Sequence, residues 1–457
     1  MRLVLLSGGS GKRLWPLSND SRSKQFLKML QRPDGQAESM VQRVWRQIAA
    51  AGLATRAYVA TSKAQTEMLW SQLGNDVPLI IEPQRRDTFP AIALAAAYLY
   101  AMEGASLNET IVVMPVDPYV EEPFFHNLLQ LGQVLEEAEA DIALVGVEPT
   151  SPSDKYGYIV PDLQLPSQNG LAYQMVARFQ EKPREEEAAV LIEQAALWNC
   201  GVFAFKLDYL INLLMEMGLP IQYEELVKQY ARLPKNSFDY EVVERARRVA
   251  VMPYSGQWND LGTWNTLTTM MKDPVIGRGI LSGNSQDSHL INELDIPIVV
   301  MGLSNIIVAA GPDGILVSDK AASTGIKQAI GQFEDRPMFE ERRWGYYRVI
   351  DYVKYAAGNE VLTKRICIRK GRNLSYQYHE KRSEVWTIVA GSGEAIINER
   401  LQRVAPGDVL LIEKGCRHSV RADEDLEIIE VQTGSELVEE DIIRSYMDWN
   451  EMIQICV

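Results

Sequence analysis

The sequence predicts an α/β protein: a Rossmann-like domain with a mostly parallel sheet, a small β connector, and a C-terminal barrel of short strands. Three observations predict it. Short apolar runs alternate with helical stretches over the first 150 residues, the pattern of a parallel sheet covered on both faces. A glycine-rich turn directly follows the first of those runs. From about residue 340 the texture changes to short strands broken by glycine turns, as in a small barrel.

Taken in order, Leu3–Leu6, Ala57–Ala60, Leu79–Ile81, Ile111–Met114 and Ile142–Val147 are Leu-rich or β-branched runs. They are expected to be strands buried on both faces. Helices are expected over Glu38–Ala51, Lys63–Leu73 and Pro90–Met102, closed by Gly52, Gly74 and Glu103-Gly104. Glycine just past a helix end is the usual stop signal. Ile298–Met301, Ile306–Ala309 and Ile315–Val317 are short strands of a connector. Val361–Ile368, Val385–Val389, Glu394–Asn398, Val409–Ile412 and Glu427–Val431 are strands of the barrel. The expected domains are residues 1–271, 272–335 and 336–457.

Composition narrows the function. The 457 residues are 46% hydrophobic and 23% charged, values of a folded globular chain. Lys+Arg is 46 and Asp+Glu is 61, so the net charge is 46 − 61 = −15. Such a chain does not grip nucleic acid by bulk electrostatics, and any phosphate site must be local. The longest apolar run, Ala91–Met102, has 12 residues, and a membrane span needs about 20. Cys200, Cys367, Cys416 and Cys456 show no CxxC spacing, which argues against a disulfide framework. The expectation is a reduced, cytoplasmic, soluble protein with small-molecule substrates, no nucleic-acid partner and no membrane. Homo-oligomerisation is left open.

The chemistry starts at Ser7-Gly-Gly-Ser-Gly-Lys-Arg13. Gly8, Gly9 and Gly11 let the backbone approach phosphates closely, and Ser7, Ser10 and Lys12 complete the turn. Neither the Walker A pattern nor the dinucleotide fingerprint fits, because Leu6 and Leu14 stand where those motifs need glycine. Arg13 and Lys24 supply two cations able to neutralise a triphosphate. Glu82-Pro-Gln-Arg-Arg-Asp-Thr88 and Pro115-Val-Asp117 follow predicted strands. The ligand crevice of an open α/β sheet lies beyond the carboxyl ends of its strands, so these clusters should converge. Asp117 and Asp260 are candidate Mg²⁺ carboxylates if the fold joins them.

Together, Leu5-Leu-Ser-Gly-Gly-Ser-Gly-Lys-Arg-Leu-Trp-Pro-Leu-Ser18 and Ser23-Lys-Gln-Phe26 resemble the signature of sugar-nucleotide pyrophosphorylases. The resemblance is to the long, type II mannose-1-phosphate guanylyltransferases, which carry a C-terminal phosphomannose isomerase domain. It continues through Met114-Pro-Val-Asp117, Tyr156-Gly-Tyr-Ile159, Phe179-Gln-Glu-Lys-Pro183, Trp198-Asn-Cys-Gly201 and Trp258-Asn-Asp-Leu-Gly-Thr-Trp264.

The resemblance implies Mg²⁺-dependent transfer of a guanylyl group from GTP to mannose 1-phosphate, giving GDP-mannose. Ser7 to Lys12 would cradle the nucleotide, and Glu82, Arg86 and Thr88 would face the base. Arg13, Lys24 and Asp117 would be catalytic, with Asp117 and Asp260 on the metal. Lys182 would pair with the sugar phosphate, and Gly157, Glu181 and Asn199 would line the hexose pocket. The chain departs from the family at Ser23 (usually Pro), Asp87 (Asn) and Pro118 (His). Another sugar 1-phosphate, such as a manno-heptose, and a silent sugar-phosphate sensor are the alternatives.

In the C-terminal region, Gln377, His379 and Glu384, then His418, fall at spacings that resemble the two-part metal motif of cupin barrels. The resemblance implies a divalent ion on these four residues, and neutral imidazole with carboxylate suits Zn²⁺. The isomerase family usually writes this strand with four histidines. Here His379 and Arg382 remain, while Glu380, Lys381 and Val385 stand at the other three positions. Isomerase activity and a drifted structural or ligand-binding module are therefore both open.

Overall fold

A computed structural model of the protein describes residues 1–9, 11–162, 172–333 and 336–456. They form two compact units. The first comprises residues 1–14, 23–66 and 73–274; the second comprises 15–22, 67–72 and 275–457.

The first unit is built on a nine-stranded sheet. Arg2–Ser7 lies between Ala57–Ser62 and Thr110–Pro115, parallel to both, and Leu79–Glu82 extends the parallel set. Leu197–Lys206 runs antiparallel between Thr110–Pro115 and Ile142–Val147. Val249–Tyr254 then pairs in parallel with Ile142–Val147, and Gln174–Gln180 and Tyr158–Asp162 close the far edge antiparallel. The five predicted strands are present. Four strands are additions: Tyr158–Asp162, Gln174–Gln180, Leu197–Lys206 and Val249–Tyr254; in the third, the Trp198-Asn-Cys-Gly stretch reads as a motif rather than as an apolar run.

Alternate residues of the central strands bury opposite ways. Val4, Ile111, Val113, Ile142 and Leu144 enter one core with the helices Thr88–Ala101 and Leu207–Glu216. Leu3, Leu5, Val112 and Val145 between them are also fully buried, so helices cover both faces. Thr88–Ala101 is apolar all round and almost wholly buried, which explains the 12-residue run without a membrane. Among the described residues no helix is long and apolar enough to cross a membrane. The predicted helix from Glu38 starts at Met40, because Ser39 is its N-cap and forms a capping box with Gln42. The predicted helix from Lys63 divides into a 3-10 turn, Lys63–Gln65, and an α-helix, Thr66–Leu73.

In the second unit, Val275–Gly277, His289–Asn292 and Ile306–Gly311 stack as short parallel rungs, with Gly314–Asp319 antiparallel at the end. Gly277 has φ +83°, and a Cβ there would lie 1.9 Å from the Asn292 carbonyl oxygen; only glycine fits this crossing. The C-terminal barrel closes a six-stranded sheet on a five-stranded one. Tyr347, Leu362, Ile366, Trp386, Ile388, Val420 and Ile428 fill its core. The segment 15–22, which follows the glycine turn, belongs to this unit. Arg22 forks onto Glu293 at 2.7 and 2.8 Å, and Asn19 Nδ2 donates to Asp313 at 2.7 Å.

Candidate functional sites

The first site lies at the carboxyl ends of the central strands. The glycine turn leaves strand Arg2–Ser7 and is tied from beneath by buried side chains. Thr61 Oγ1 and Gln25 Nε2 donate to the Ser7 carbonyl, at 3.3 and 3.5 Å, and Gln65 Nε2 and Ser23 Oγ donate to the Gly9 carbonyl, at 3.2 and 2.9 Å. Ser7 itself is 1% exposed, its hydroxyl accepting from Gln25 Nε2 at 3.2 Å. Holding the Ser7 and Gly9 carbonyls inward in this way suits a turn that offers backbone N–H groups to an anion. A Cβ on Gly8 would lie 3.0 Å from Glu82 Oε1. Gly11 is buried, Lys12 half-buried and Arg13 exposed. Ser10 lies outside the described residues.

Asp117 and Asp260 come together. Trp258–Asp260 pairs antiparallel with Pro118–Val120, with Asp260 opposite Pro118. Lys24 Nζ sits 2.8 Å from Asp117 Oδ2 and 3.2 Å from Asp260 Oδ1. Burial alone would lower the Lys24 pKa, but the two carboxylates outweigh it and raise it above the ordinary lysine value. Both carboxylates are partly open, with side chains 27% and 37% exposed. Two adjacent carboxylates able to turn toward a phosphate fit Mg²⁺, which takes one or two protein carboxylates plus phosphate oxygens. A Cβ on Gly262 would lie 2.9 Å from Asp260 Oδ2, so glycine there leaves Asp260 its room.

The Glu82–Thr88 turn is braced by the segment 230–239. Tyr230 Oη donates to Glu82 Oε2 at 2.7 Å, Arg86 Nη2 donates to the Leu233 carbonyl at 3.0 Å, and Phe238 N donates to Thr88 Oγ1 at 2.8 Å. Asp87 adopts φ +80° and caps the helix Thr88–Ala101, its Oδ1 accepting from Thr88 N at 2.8 Å. With ψ −176° this conformation is strained for any residue that carries a Cβ.

Gly157, Glu181, Lys182 and Asn199 also cluster. Asn199 N donates to the Gly157 carbonyl at 2.8 Å. A Cβ on Gly157 would lie 2.4 Å from Glu181 Oε2, and Lys182 Nζ pairs with Glu181 Oε1. Beside them Tyr156 contacts Trp198 and Trp258, with ring centroids 4.7 and 5.3 Å apart. Burial, then the Asp260 charge, pushes Tyr156 up to about 12.

The second site lies inside the barrel. His379 Nε2 is 3.1 Å from Glu384 Oε1, and His418 Nε2 is 3.7 Å from Glu384 Oε2. Each ring turns its other nitrogen to a main-chain carbonyl: His379 Nδ1 to Asp441 at 2.5 Å, His418 Nδ1 to Cys416 at 2.9 Å. Donation from Nδ1 would free both Nε2 lone pairs for an ion, the tautomer a metal needs; without one, His379 Nε2 can carry its proton toward Glu384. His418 Nε2 is buried with no hydrogen-bond partner. These three residues fit a divalent ion. Gln377 pairs with His418 across the sheet, and its Oε1 accepts from Ser375 Oγ at 2.6 Å. Arg382 Nε donates to Glu384 Oε1 at 2.8 Å.

Glu430 and Gln432 join this cup from strand Leu426–Gly434. Their positions alternate inward with Ile428, so buried polar residues at strand period were the available signal. Trp386 Nε1 donates to Glu384 Oε2 at 3.1 Å and to Glu430 Oε1 at 3.0 Å. Burial opposes ionisation of Glu384, but His379, His418 and Arg382 hold its carboxyl well below the ordinary range. Burial, then the Glu384 charge, pushes Glu430 up to about 8, and burial pulls His418 down to about 4.

A carboxyl raised on folding stabilises fully below its unfolded pKa, here 4.5, and that contribution is lost as pH rises through about 8. His418 acts only below about 6.5, where protonation disfavours the fold. In metal-free protein between pH 6.5 and 8.5, urea midpoints should fall, by up to about 1.4 kcal/mol per pH unit from Glu430. E430Q should flatten that slope; an equal slope in the variant would misplace the titrating group.

A glycine turn with a lysine and two carboxylates at the carboxyl edge of an α/β sheet, joined to a cupin-type barrel, defines a nucleotidyltransferase with a metal-cup appendage. Comparison with known proteins agrees. Residues 2–274 match the nucleotidyl transferase family model, and residues 335–446 match that of the mannose-6-phosphate isomerase C-terminal domain. The chain is 30% identical to the alginate biosynthesis protein AlgA of Pseudomonas putida, covering 96% of this chain and 94% of that one. It is 28% identical to a mannose-1-phosphate guanylyltransferase of Salmonella muenchen, covering 96% and 97%. A solved structure described as mannose-1-phosphate geranyltransferase from Thermus thermophilus matches with a TM-score of 0.59 at 30% identity, covering 73% of this chain and 99% of that one. The chain belongs to the mannose-1-phosphate guanylyltransferase family of nucleotidyl transferases.

Proposed function

We propose that the protein is a Mg²⁺-dependent guanylyltransferase that makes GDP-mannose and pyrophosphate from GTP and mannose 1-phosphate. The observation that carries this reading is Lys24 set between Asp117 and Asp260 beside the glycine turn. In the reaction, a phosphate oxygen of the sugar 1-phosphate bonds to the α-phosphorus of GTP. The bond from that phosphorus to the oxygen bridging the β-phosphate breaks, and pyrophosphate leaves with that electron pair. No proton need move, so the work is positioning and charge neutralisation.

Mg²⁺ on Asp117 and Asp260 supplies Lewis-acid neutralisation of the phosphates. The backbone N–H groups of the turn from Ser7 to Lys12 hold the triphosphate. Lys24, held beside the two carboxylates, is placed to meet the charge developing between the α- and β-phosphates. Arg13, exposed on its turn, closes on the same anion. Lys182 binds the sugar phosphate, and Gly157, Glu181 and Asn199 bind the hexose. Glu82, Arg86 and Thr88 shape the base-facing turn. In this reading nucleotidyl transfer resides in residues 1–271, the connector in 272–335 and the metal cup in 336–457. Zn²⁺ fits the cup best, having two imidazoles and a carboxylate to bind.

The test is a panel of sugar 1-phosphates against the four NTPs with Mg²⁺, followed by pyrophosphate release. GTP with mannose 1-phosphate should give the highest kcat/KM. Preference for a manno-heptose 1-phosphate would reassign the sugar, and no turnover with any pair would make the domain a sensor. Mannose 6-phosphate in parallel, with fructose 6-phosphate as the product sought, tests the barrel for isomerase activity.

A further inference from the structure

Asn199 is held by more than its strand. Its Oδ1 accepts from Gly201 N at 3.0 Å, and its Nδ2 donates to Asp239 Oδ1 at 2.5 Å. An amide group cannot be flipped when a backbone donor claims its oxygen and a carboxylate claims its nitrogen. One N–H of Nδ2 is spent on Asp239, so the direction of the other is fixed.

Asp239 is itself anchored at both ends of its short segment. Ser237 caps the turn, its Oγ accepting from Tyr240 N at 3.4 Å. Phe238 is fully buried against Phe203 and Phe205, with centroids 5.0 and 5.7 Å away. Phe89 N donates to the Asn236 carbonyl at 3.2 Å. Glu181, Lys182 and Tyr240 lie within electrostatic reach of this carboxylate. Burial, then the Glu181 charge, raises Asp239 to about 6. Keeping a carboxylate beside Glu181 costs stability that an apolar or amide residue would not cost.

We infer that Asp239 is a positioning residue for the sugar phosphate: it locks the Asn199 amide so that its remaining N–H points to the substrate. The inference rests on the reading of Gly157, Glu181, Lys182 and Asn199 as the hexose 1-phosphate pocket. Because Asp239 acts through Asn199, it should affect the sugar phosphate and not GTP.

The experiment measures KM for mannose 1-phosphate and for GTP in full-length wild type, D239A, D239N, N199A and N199A/D239A. D239A should raise KM for mannose 1-phosphate about tenfold, the effect of losing one oriented hydrogen bond. KM for GTP should change by less than about twofold. D239N keeps an acceptor for Asn199 and should recover most of the loss. In the N199A background D239A should add nothing, because both remove the same contact. D239S replaces D239A should the latter fail to fold. An unchanged KM for mannose 1-phosphate, equal losses for both substrates, or additivity with N199A would overturn the inference. Wild type that turns over no sugar 1-phosphate would instead overturn the reading of the pocket, before any variant is compared.

Discussion

K24A should lose about 10²–10³-fold in kcat for pyrophosphorolysis of GDP-mannose while remaining folded. One donor aimed at charge that develops in the transition state is worth about that much. The geometry makes Lys24 more than a surface cation, since its ammonium lies within 3.2 Å of both Asp117 and Asp260. Removing it leaves two carboxylates side by side, and Mg²⁺ becomes their main counter-charge. KM for Mg²⁺ should therefore fall while kcat falls. Stability should fall by no more than about 3 kcal/mol, because the Lys24 side chain is only 14% exposed but both freed aspartates reach solvent and can hydrate. K24R, which keeps charge but not shape, should recover only a small part of the rate. Turnover retained in K24A would remove Lys24 from the chemistry.

E384A should unfold the barrel far more readily than H418A does. Arg382 is 3% exposed, and its guanidinium rests on Glu384 at 2.8 Å. Deleting the carboxylate takes away that cation's nearest counter-charge and leaves it Asp441 at 4.0 Å, which costs up to about 3–5 kcal/mol. H418A removes one metal-facing nitrogen without stranding a charge. Both should abolish stoichiometric retention of a divalent ion through gel filtration, read by elemental analysis. E384Q, which keeps the acceptor for Arg382, should lose the ion with a smaller loss in the urea midpoint. An ion retained at one per chain in H418A and E384Q would place it elsewhere.

The parts of the fold written in local periodicity were legible. Buried strands, helix caps and glycine stops each involve a few neighbouring residues. The glycine turn was legible for the same reason, while the His379–Glu384–His418 set was legible through its resemblance to a two-part family motif. Pairing across long separations was not. Lys24 and Asp260 lie 236 residues apart, and the pairing of Trp258–Asp260 with Pro118–Val120 brings the two aspartates together. Gln25 and Gln65 brace the glycine turn from below, yet a buried glutamine carries no sequence signal until its carbonyl partners are known. Asp239 was hidden similarly: its segment reads as an ordinary turn, and its importance comes from a contact with Asn199, 40 residues away. Glu430 and Gln432 were the readable omission, polar residues at every second position of a barrel strand.

The orientation of the two imidazoles comes from backbone carbonyls at Asp441 and Cys416. Position 416 contributes no side-chain group to that bond, so mutation there is buffered by the path of the chain. A cup aligned in this way does not depend on the side chain at position 385, which can vary without turning either ring. The ligand geometry is thus separable from the residues beside it, and those neighbours can set the chemistry without rebuilding the cup.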